Sequence, residues 1–500
     1  MTVILKGHDY KYAVEQMLLT LFPDERPTYG TQEENRITIS LRRGNTWLTA
    51  TAVLSWKGRI TRHACRAKVS ELTGVELADG RVCQRIIKLA FYRSGVEALG
   101  KEPPWGAMTG VRPVKIPTKD LMAGATPAEA AGRLRRVYRV SPLRAALAVA
   151  CTQASAAVKT DLRPEEISLY VGIPFCPTRC AYCSFISADV KHALKLMDPY
   201  ADALTREIAA AGAALKREGL RIKSVYFGGG TPTTLTAGQL ERVLSALAES
   251  IDLSDCVEYT VEAGRPDTIS REKLAVLARH GVDRVSVNPQ TMEDAVLRAM
   301  GRAHTARQIE EAYALVRQSG SFLVNMDLIA GLPADTPEGF RRTLDKVLAM
   351  GPENITVHTL ALKRGSTLTT GGFAAPLPDA EQVAGMLDYA WERLARAEYA
   401  PYYLYRQKFM SGSFENVGWC RPECESVYNI CMMEELQSIL SLGAGGVTKL
   451  VDTQGGRIER HANPKYPQDY LARIDRICRE KEELSWPISC RRSMDASGKT

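Results

Sequence analysis

Apolar positions in the first hundred residues change period twice. Val14, Met17, Leu18 and Leu21 recur at steps of three and four, which sets them on one face of a helix that Pro23 limits. Residues 37–41 and 47–56 read instead as two strands around Arg43-Gly44-Asn45, a turn-forming set. A helical pattern resumes from Cys83 to about Leu99. The Pro- and Gly-rich stretch 103–115 also carries Trp105, Met108 and Val111, so it reads as a structured loop packing one domain on another rather than as a linker. Together, residues 1–165 predict a separate α+β domain.

From 166 the pattern becomes short apolar runs alternating with helical stretches. Residues 168–173, 224–227, 258–262, 284–287, 323–329 and 354–360 predict six strands, with helices near 198–219, 237–250, 270–279, 306–319 and 337–349 between them. Such alternation implies an α/β fold with a parallel sheet covered by helices. Functional residues of such folds gather at the C-terminal ends of the strands. Gly371, Gly372 and Pro376 suggest a boundary near 370. The remainder, 371–500, is helical at first, then carries Tyr399-Ala-Pro-Tyr-Tyr-Leu-Tyr405, and 494–500 reads as a frayed polar tail.

Composition adds bounds. Five hundred residues, 45% hydrophobic and 24% charged, describe an ordinary globular chain with room for two or three domains. The N-terminus has no basic-then-apolar signal architecture, and no apolar run reaches about 18 residues, so the expected location is the cytoplasm. In that reducing compartment the twelve cysteines are expected to be free or metal-bound. The net charge of +8 suits an anionic substrate, nucleic acid or mere solubility, and Arg-Leu-Arg-Arg at 133–136 is the densest short basic patch.

Cys176, Cys180 and Cys183, within Tyr-Val-Gly-Ile-Pro-Phe-Cys-Pro-Thr-Arg-Cys-Ala-Tyr-Cys-Ser-Phe (170–185), carry the most chemistry. Three thiolates at this spacing can each bind one iron of a [4Fe–4S] cluster, and without a fourth local cysteine one iron keeps an open position. Zinc is an alternative, but it wants a fourth Cys or His nearby and the next histidine is His192. Buried apolar cysteines are the other. Gly228-Gly229-Gly230-Thr231-Pro232 follows the second expected strand, where glycines admit a ligand close to the backbone; alone, it reads as a plain turn. Cys420, Cys424 and Cys431 form a second compact group, open to two readings: another cluster, or buried apolar side chains.

The Cys-x3-Cys-x2-Cys motif, with Ile173-Pro174-Phe175 before it and Tyr182 inside it, resembles the signature of radical S-adenosylmethionine (SAM) enzymes. Within them it is most similar to the coproporphyrinogen dehydrogenase family, in its HemZ-type branch. The resemblance covers 166–370 closely and, with less specific motifs, much of 375–450. It implies a partial (β/α)6 barrel between the N-terminal domain and a C-terminal, substrate-side extension. It also implies a [4Fe–4S] cluster on Cys176, Cys180 and Cys183, whose open iron chelates the amino and carboxylate groups of SAM. By the family's pattern, Gly230, Thr231 and Pro232 face SAM's amino group and Glu262 lies beside SAM. Gln290, Arg302 and Asp327 match its polar SAM-binding positions, Ala361 matches a backbone contact, and Tyr170 and Tyr182 flank the cluster. SAM offers a carboxylate suited to Arg302 and ribose hydroxyls suited to Asp327 and Gln290.

The activity so implied is oxygen-independent oxidative decarboxylation of coproporphyrinogen III propionates to vinyl groups, giving protoporphyrinogen IX in haem biosynthesis. No catalytic residue is assigned beyond those that hold the cluster and SAM. The implied partners are a tetrapyrrole substrate and an electron donor such as flavodoxin or ferredoxin, with Arg406 and Lys408 as candidates for the propionates. Two departures weaken the transfer of substrate: Gly172 stands where better-known members have His, and Phe185 where they have a further Cys. A haem-binding chaperone is therefore the alternative, followed by a radical SAM enzyme acting on another tetrapyrrole or on RNA. With no obvious added RNA-binding module, nucleic acid ranks last among the partners.

Overall fold

Buried Ile37, Ile39, Leu48, Ala50, Ala52 and Leu54 alternate with half-buried or exposed neighbours and give the N-terminal sheet one apolar face. The computed structural model describes all residues except 31–33, 185–187, 364, 371–374, 408–412, 454–455, 488–489 and 491–500, together with the side chains of Lys191 and His192. Phe185, Gly371, Gly372, Lys408 and the tail 494–500 thus lie outside the described residues. The chain forms two compact units, one of Met1–Val149 with Arg406–Phe414, the other of Ala150–Tyr405 with Glu415–Thr500.

In the first unit, β1 (Thr2–Lys6), β2 (Arg36–Arg43), β3 (Trp47–Trp56) and β4 (Arg59–Lys68) pair in that order, β1 parallel to β2 and the rest antiparallel. The apolar face packs on helices Lys11–Leu21 and Glu76–Leu99 through Val14, Leu18, Ile87 and Phe91. Strand β4 escaped the sequence pattern because its buried positions are the small or polar Thr61, Cys65 and Ala67. Residues 103–115 are ordered, with Trp105 buried and Ala107 N donating to Tyr138 O at 2.8 Å.

The second unit is built on β5 (Glu166–Ile173), β6 (Phe175–Cys176), β7 (Ala188–Asp189), β8 (Arg221–Gly229), β9 (Glu258–Glu262), β10 (Arg284–Ser286), β11 (Leu323–Ala330) and β12 (Asn354–Thr359). Further on come β13 (Ala400–Arg406), β14 (Glu415–Cys420), β15 (Ile439–Leu442), β16 (Val447–Asp452) and β17 (Arg457–Ala462). The eleven-stranded sheet runs β13-β14-β12-β11-β10-β9-β8-β5-β15-β16-β17. Its middle, β5 to β12, holds the six expected strands, parallel between neighbours, as a partial (β/α)6 barrel. The expected helices follow as Val190–Glu218, Ala237–Ser250, Arg271–Arg279, Ala306–Ser319 and Pro337–Met350. Thr236, Ser270, Thr305 and Thr336 cap four of them, each side chain accepting from a first-turn amide. Among the described residues no helix is long and apolar enough to cross a membrane.

The compact units divide at Val149/Ala150, within helix Pro142–Asp161, and not at 165. Residues 371–500 form no unit of their own, because β13–β14 extend one edge of the barrel sheet and β15–β17 the other. The segment 424–428 also closes the barrel at the N-terminal ends of its strands. Arg284, first in β10, donates to the carbonyls of Cys424 (3.1 Å) and Glu425 (3.4 Å), and Asn354, first in β12, donates to Cys424 O at 2.7 Å. Glu258, first in β9, accepts from Ser426 Oγ at 2.8 Å and from the Val427 and Tyr428 amides opening helix Val427–Glu434, where a carboxylate suits the helix dipole.

Candidate functional site at the barrel mouth

Strand β5 runs directly into β6, which carries Cys176, and the loop after β8 clasps it. Gly230 N donates to Ile173 O and Thr231 N to Phe175 O, both at 2.7 Å. A Cβ on Gly230 would lie 2.9 Å from the Phe175 nitrogen and nearer still to its carbonyl oxygen, so glycine is required there. Thr231 Oγ1 stands 3.7 Å from Cys176 Sγ. Thr178 Oγ1 ties the rest of the loop to Gly301 O at 3.2 Å, Ala181 N to Met300 O at 3.0 Å and Arg179 to Gly365 O at 2.7 Å. Cys183 N donates to Cys180 O at 3.0 Å, which puts those two cysteines on one turn. All three thiols are half-buried.

Two buried arginines stand against this loop. Arg302 donates to Tyr182 Oη at 3.3 Å and to Gly264 O at 3.1 Å. Arg265 lies 3.8 Å from Cys180 Sγ, and Asp267 accepts from its other nitrogens. Beside them, His304 is buried with neither ring nitrogen hydrogen-bonded among the described residues, its Nδ1 lying 4.0 Å from Asp267 Oδ1. Burial, then Arg302 and Arg265, hold its pKa down to about 3, so it is neutral.

Glu262 ends β9 and accepts from Tyr226 Oη at 2.7 Å. Desolvation, reinforced by the Asp327 charge, pushes its pKa up to about 7. Asp327, in β11, is held below the usual carboxylate range: desolvation opposes this, but His358 (Nε2 at 3.8 Å), Asn325 (2.8 Å) and Thr356 outweigh it. Gln290 has φ +66° and joins β10 to β11, its N donating to Asp327 O at 2.8 Å and its O accepting from Ile329 N at 3.0 Å. Ala361 lies just beyond β12. Tyr170 points into the barrel, where its ring stacks with those of Tyr226 and Tyr428 at centroid distances of 6.4 Å, and the last two lie 4.5 Å apart.

Residues 170–347 match the model of the Radical SAM superfamily. The chain is 40% identical over 380 residues to the "oxygen-independent coproporphyrinogen-III oxidase-like protein HemZ" of Bacillus subtilis, covering 75% of this chain and 76% of that one. The chain belongs to the radical SAM coproporphyrinogen dehydrogenase family, in its HemZ-type branch. It is also 32% identical over 280 residues to the "heme chaperone HemW" of Lactococcus lactis, covering 56% of this chain and 68% of that one. The solved Escherichia coli coproporphyrinogen III oxidase HemN, described as a radical SAM enzyme, superposes with a TM-score of 0.50 at 26% identity, covering 64% of this chain and 72% of that one.

The cofactors of this radical SAM family are a [4Fe–4S] cluster and SAM, and the mouth has the chemistry to receive both. Three thiols on one loop beside two guanidinium groups suit an anionic cluster. Gln290 Oε1 and Arg302 Nε are buried without a hydrogen-bond partner among the described residues, as expected of groups that await a polar ligand. Gly228 leaves a cradle that a Cβ would narrow to 3.2 Å from Glu262 Oε2.

Sequence reasoning passed over Arg265, His304 and Tyr226. Arg265 had one signal, its place in Glu-Ala-Gly-Arg-Pro-Asp directly after a strand end; Tyr226 and His304 carry none without the fold. Two expectations need correction or qualification. Arg406 is no propionate partner: it is buried in the first unit, donating to Met108 O and to Ser413 O and lying 5.3 Å from the centroid of the Trp105 ring. Tyr402 and Tyr403 are likewise core, packed with Cys420, Ile430 and half-buried Cys424. Burial pushes the Cys420 and Cys431 thiols well up, away from the thiolate form a metal needs.

Proposed function

We propose that this chain is an oxygen-independent coproporphyrinogen III dehydrogenase working in the reducing cytoplasm. The observation carrying this reading is the polar cluster at the barrel mouth: Tyr182 meets Cys180, Arg302 donates to Tyr182, and the charge of Asp327, inside β11, acts on both Arg302 and Glu262. In this reading Cys176, Cys180 and Cys183 each hold one iron. Gly230, Thr231, Pro232 and Ala361 offer backbone and small side chains to SAM, while Glu262, Gln290, Arg302 and Asp327 bind its polar groups. Tyr170 and Tyr182 fill the space beside it. When bound, the cluster and SAM supply the one-electron chemistry that removes a propionate hydrogen, after which carbon dioxide leaves, a vinyl group forms and an acceptor takes the remaining electron.

The protein's part is positional and electrostatic. Arg302 offers its free Nε–H to a carboxylate. Glu262 meets a cation best when ionised, and Tyr226 supports that form by donating to it. The floor made by 424–428 leaves the strands' C-terminal side as the way in. Anaerobic incubation of reconstituted protein with SAM, dithionite and coproporphyrinogen III tests the reading, with deoxyadenosine and vinyl product followed by mass spectrometry. Matched formation of both is the expected result. Tight haem binding without substrate-dependent deoxyadenosine would overturn the reading in favour of a chaperone.

A further inference from the structure

The N-terminal sheet has a second face, whose residues on β2, β3 and β4 alternate with the apolar positions and are exposed or half-exposed among the described residues. The register gathers six cations onto it: Lys6 from β1, Arg36 and Arg42 from β2, and Arg62, Arg66 and Lys68 from β4. No carboxylate shares these positions. Among the described residues Lys6, Arg36, Arg42, Arg62 and Arg66 make no ion pair, while Lys68 has Glu71 near it. This one face therefore carries +6 in a chain whose net charge is +8.

Protection of an exposed edge accounts for lysines and arginines on β4. It does not account for Arg36, which is paired on both sides, with Thr2 in β1 and Ser55 in β3. A merely solvated face would also mix signs, since opposite charges across strands stabilise a sheet and like charges oppose it. Between the cations run hydroxyls on β2 and β3, namely Thr38, Ser40, Thr49, Thr51 and Ser55, with Val53 among them opposite Thr38. At one end Trp47 is 42% exposed, directly opposite Lys68.

We propose that this face binds single-stranded nucleic acid, laid along these hydroxyls with its phosphates on the flanking cations and a base against Trp47. Four of the six cations are arginines, whose forked donors match phosphate oxygens. Hydroxyl side chains are common partners of phosphate and sugar. An open sheet with an exposed aromatic is a platform on which unstacked bases lie. An acidic protein would match the charge and the hydroxyls, but Trp47 beside the cations gives a stacking surface that favours a base. The cations are scattered between positions 6 and 68, so no basic cluster exists until the strand register is known.

The test uses the full-length, cluster-loaded protein and a fluorescein-labelled 20-nucleotide uridine RNA, with anisotropy followed across salt concentrations. Six phosphate contacts predict a log–log salt slope of about −4, since each contributes about 0.7 on a single strand. The triple substitution Arg42→Ser, Arg62→Ser, Arg66→Ser should flatten that slope by about 2. Trp47→Ala should weaken RNA binding about fivefold or more and leave inorganic polyphosphate binding unchanged. Circular dichroism and iron content check that both variants fold. The proposal is overturned if the triple variant binds RNA like the wild type, or if the wild type does not bind at 50 mM salt. Equal affinity for polyglutamate, or for phosphatidylserine-containing vesicles, also overturns it and assigns the face to an acidic protein or a membrane.

Discussion

Arg265 stands 3.8 Å from the sulfur of Cys180 and 3.1 Å from Thr178 Oγ1, while Asp267 accepts from its Nε at 3.2 Å and its second terminal nitrogen at 3.4 Å. A buried guanidinium so placed favours the more negative, reduced form of a cluster bound at that sulfur, because hydrogen bonds and charge near the sulfurs set its potential. Arg265→Gln should therefore lower the midpoint potential, shifting the reduced-to-oxidised ratio about tenfold, or about 59 mV for one electron. Arg265→Lys should restore part of it. An EPR-monitored redox titration reads this without turnover, and equal potentials in all three proteins would leave Arg265 only a loop-supporting role.

Replacing Cys176, Cys180 or Cys183 with Ala should abolish the cluster, as no spare thiol lies on their loop. Cys431→Ala should leave about four irons per chain, as in the wild type. Iron and sulfide analysis decides both, and about eight irons in the wild type would revive a second cluster on Cys420, Cys424 and Cys431.

Affinity for SAM should depend on pH through Glu262. Its carboxyl, facing Tyr226, Tyr170, Asp327 and His358, has its pKa raised from the ordinary 4.5 to about 7. The neutral form prevails below that value and the anion above it, so binding of cationic SAM should strengthen from pH 6 to pH 8 and then level off. Glu262→Gln should remove the rise and weaken binding by about 1.5–3 kcal/mol. Anaerobic equilibrium titrations at several pH values check this; a persisting rise in the variant would assign the titration to another group.

Two glycines should be far less tolerant than a third. A Cβ on Gly172 would lie 2.9 Å from Ala444 O, where Tyr200 Oη already bridges Gly172 O (2.6 Å) and Ala444 N (2.8 Å). Gly172→Ala and Gly230→Ala should each cost about 1–3 kcal/mol from overpacking, and the latter should also lower iron content. Gly238, inside a helix with nothing within 4 Å of its added Cβ, should accept Ala with a gain of up to about 1 kcal/mol. Thermal unfolding followed by circular dichroism ranks the three.

The barrel's six strands were legible because each apolar run sits between helical patterns whose caps, such as Thr236 and Thr305, lie just ahead of them. The cysteine loop stood out by its spacing, and the family resemblance, not the spacing, singled out the cluster among its readings. The same helical and apolar signals are weak after 400, where β13 to β17 are short and reach the barrel only through β14 on β12 and β15 on β5, so residues joining both edges of one sheet looked like a separate domain. Arg406 misled for a related reason: an arginine beside tyrosines looks like a ligand site until its donors are seen to satisfy backbone carbonyls. Tyr226, His304 and the cationic face required the third dimension altogether.

Strand β5 lies between β8 and β15, so one side of the strand leading into the cysteine loop waits for residues Ile439–Leu442. During synthesis at 5–20 residues per second, that edge stays open for roughly ten to fifty seconds after β5 has emerged. For the earlier part of that interval the loop also lacks its anchors at Gly301 and Gly365, and for most of it the floor formed by 424–428 is missing. Iron delivered early would meet cysteines on an unbraced loop beneath an open-ended barrel. Cluster insertion thus belongs after translation, and a nascent chain halted before about residue 440 should be a substrate for chaperones rather than for iron–sulfur assembly.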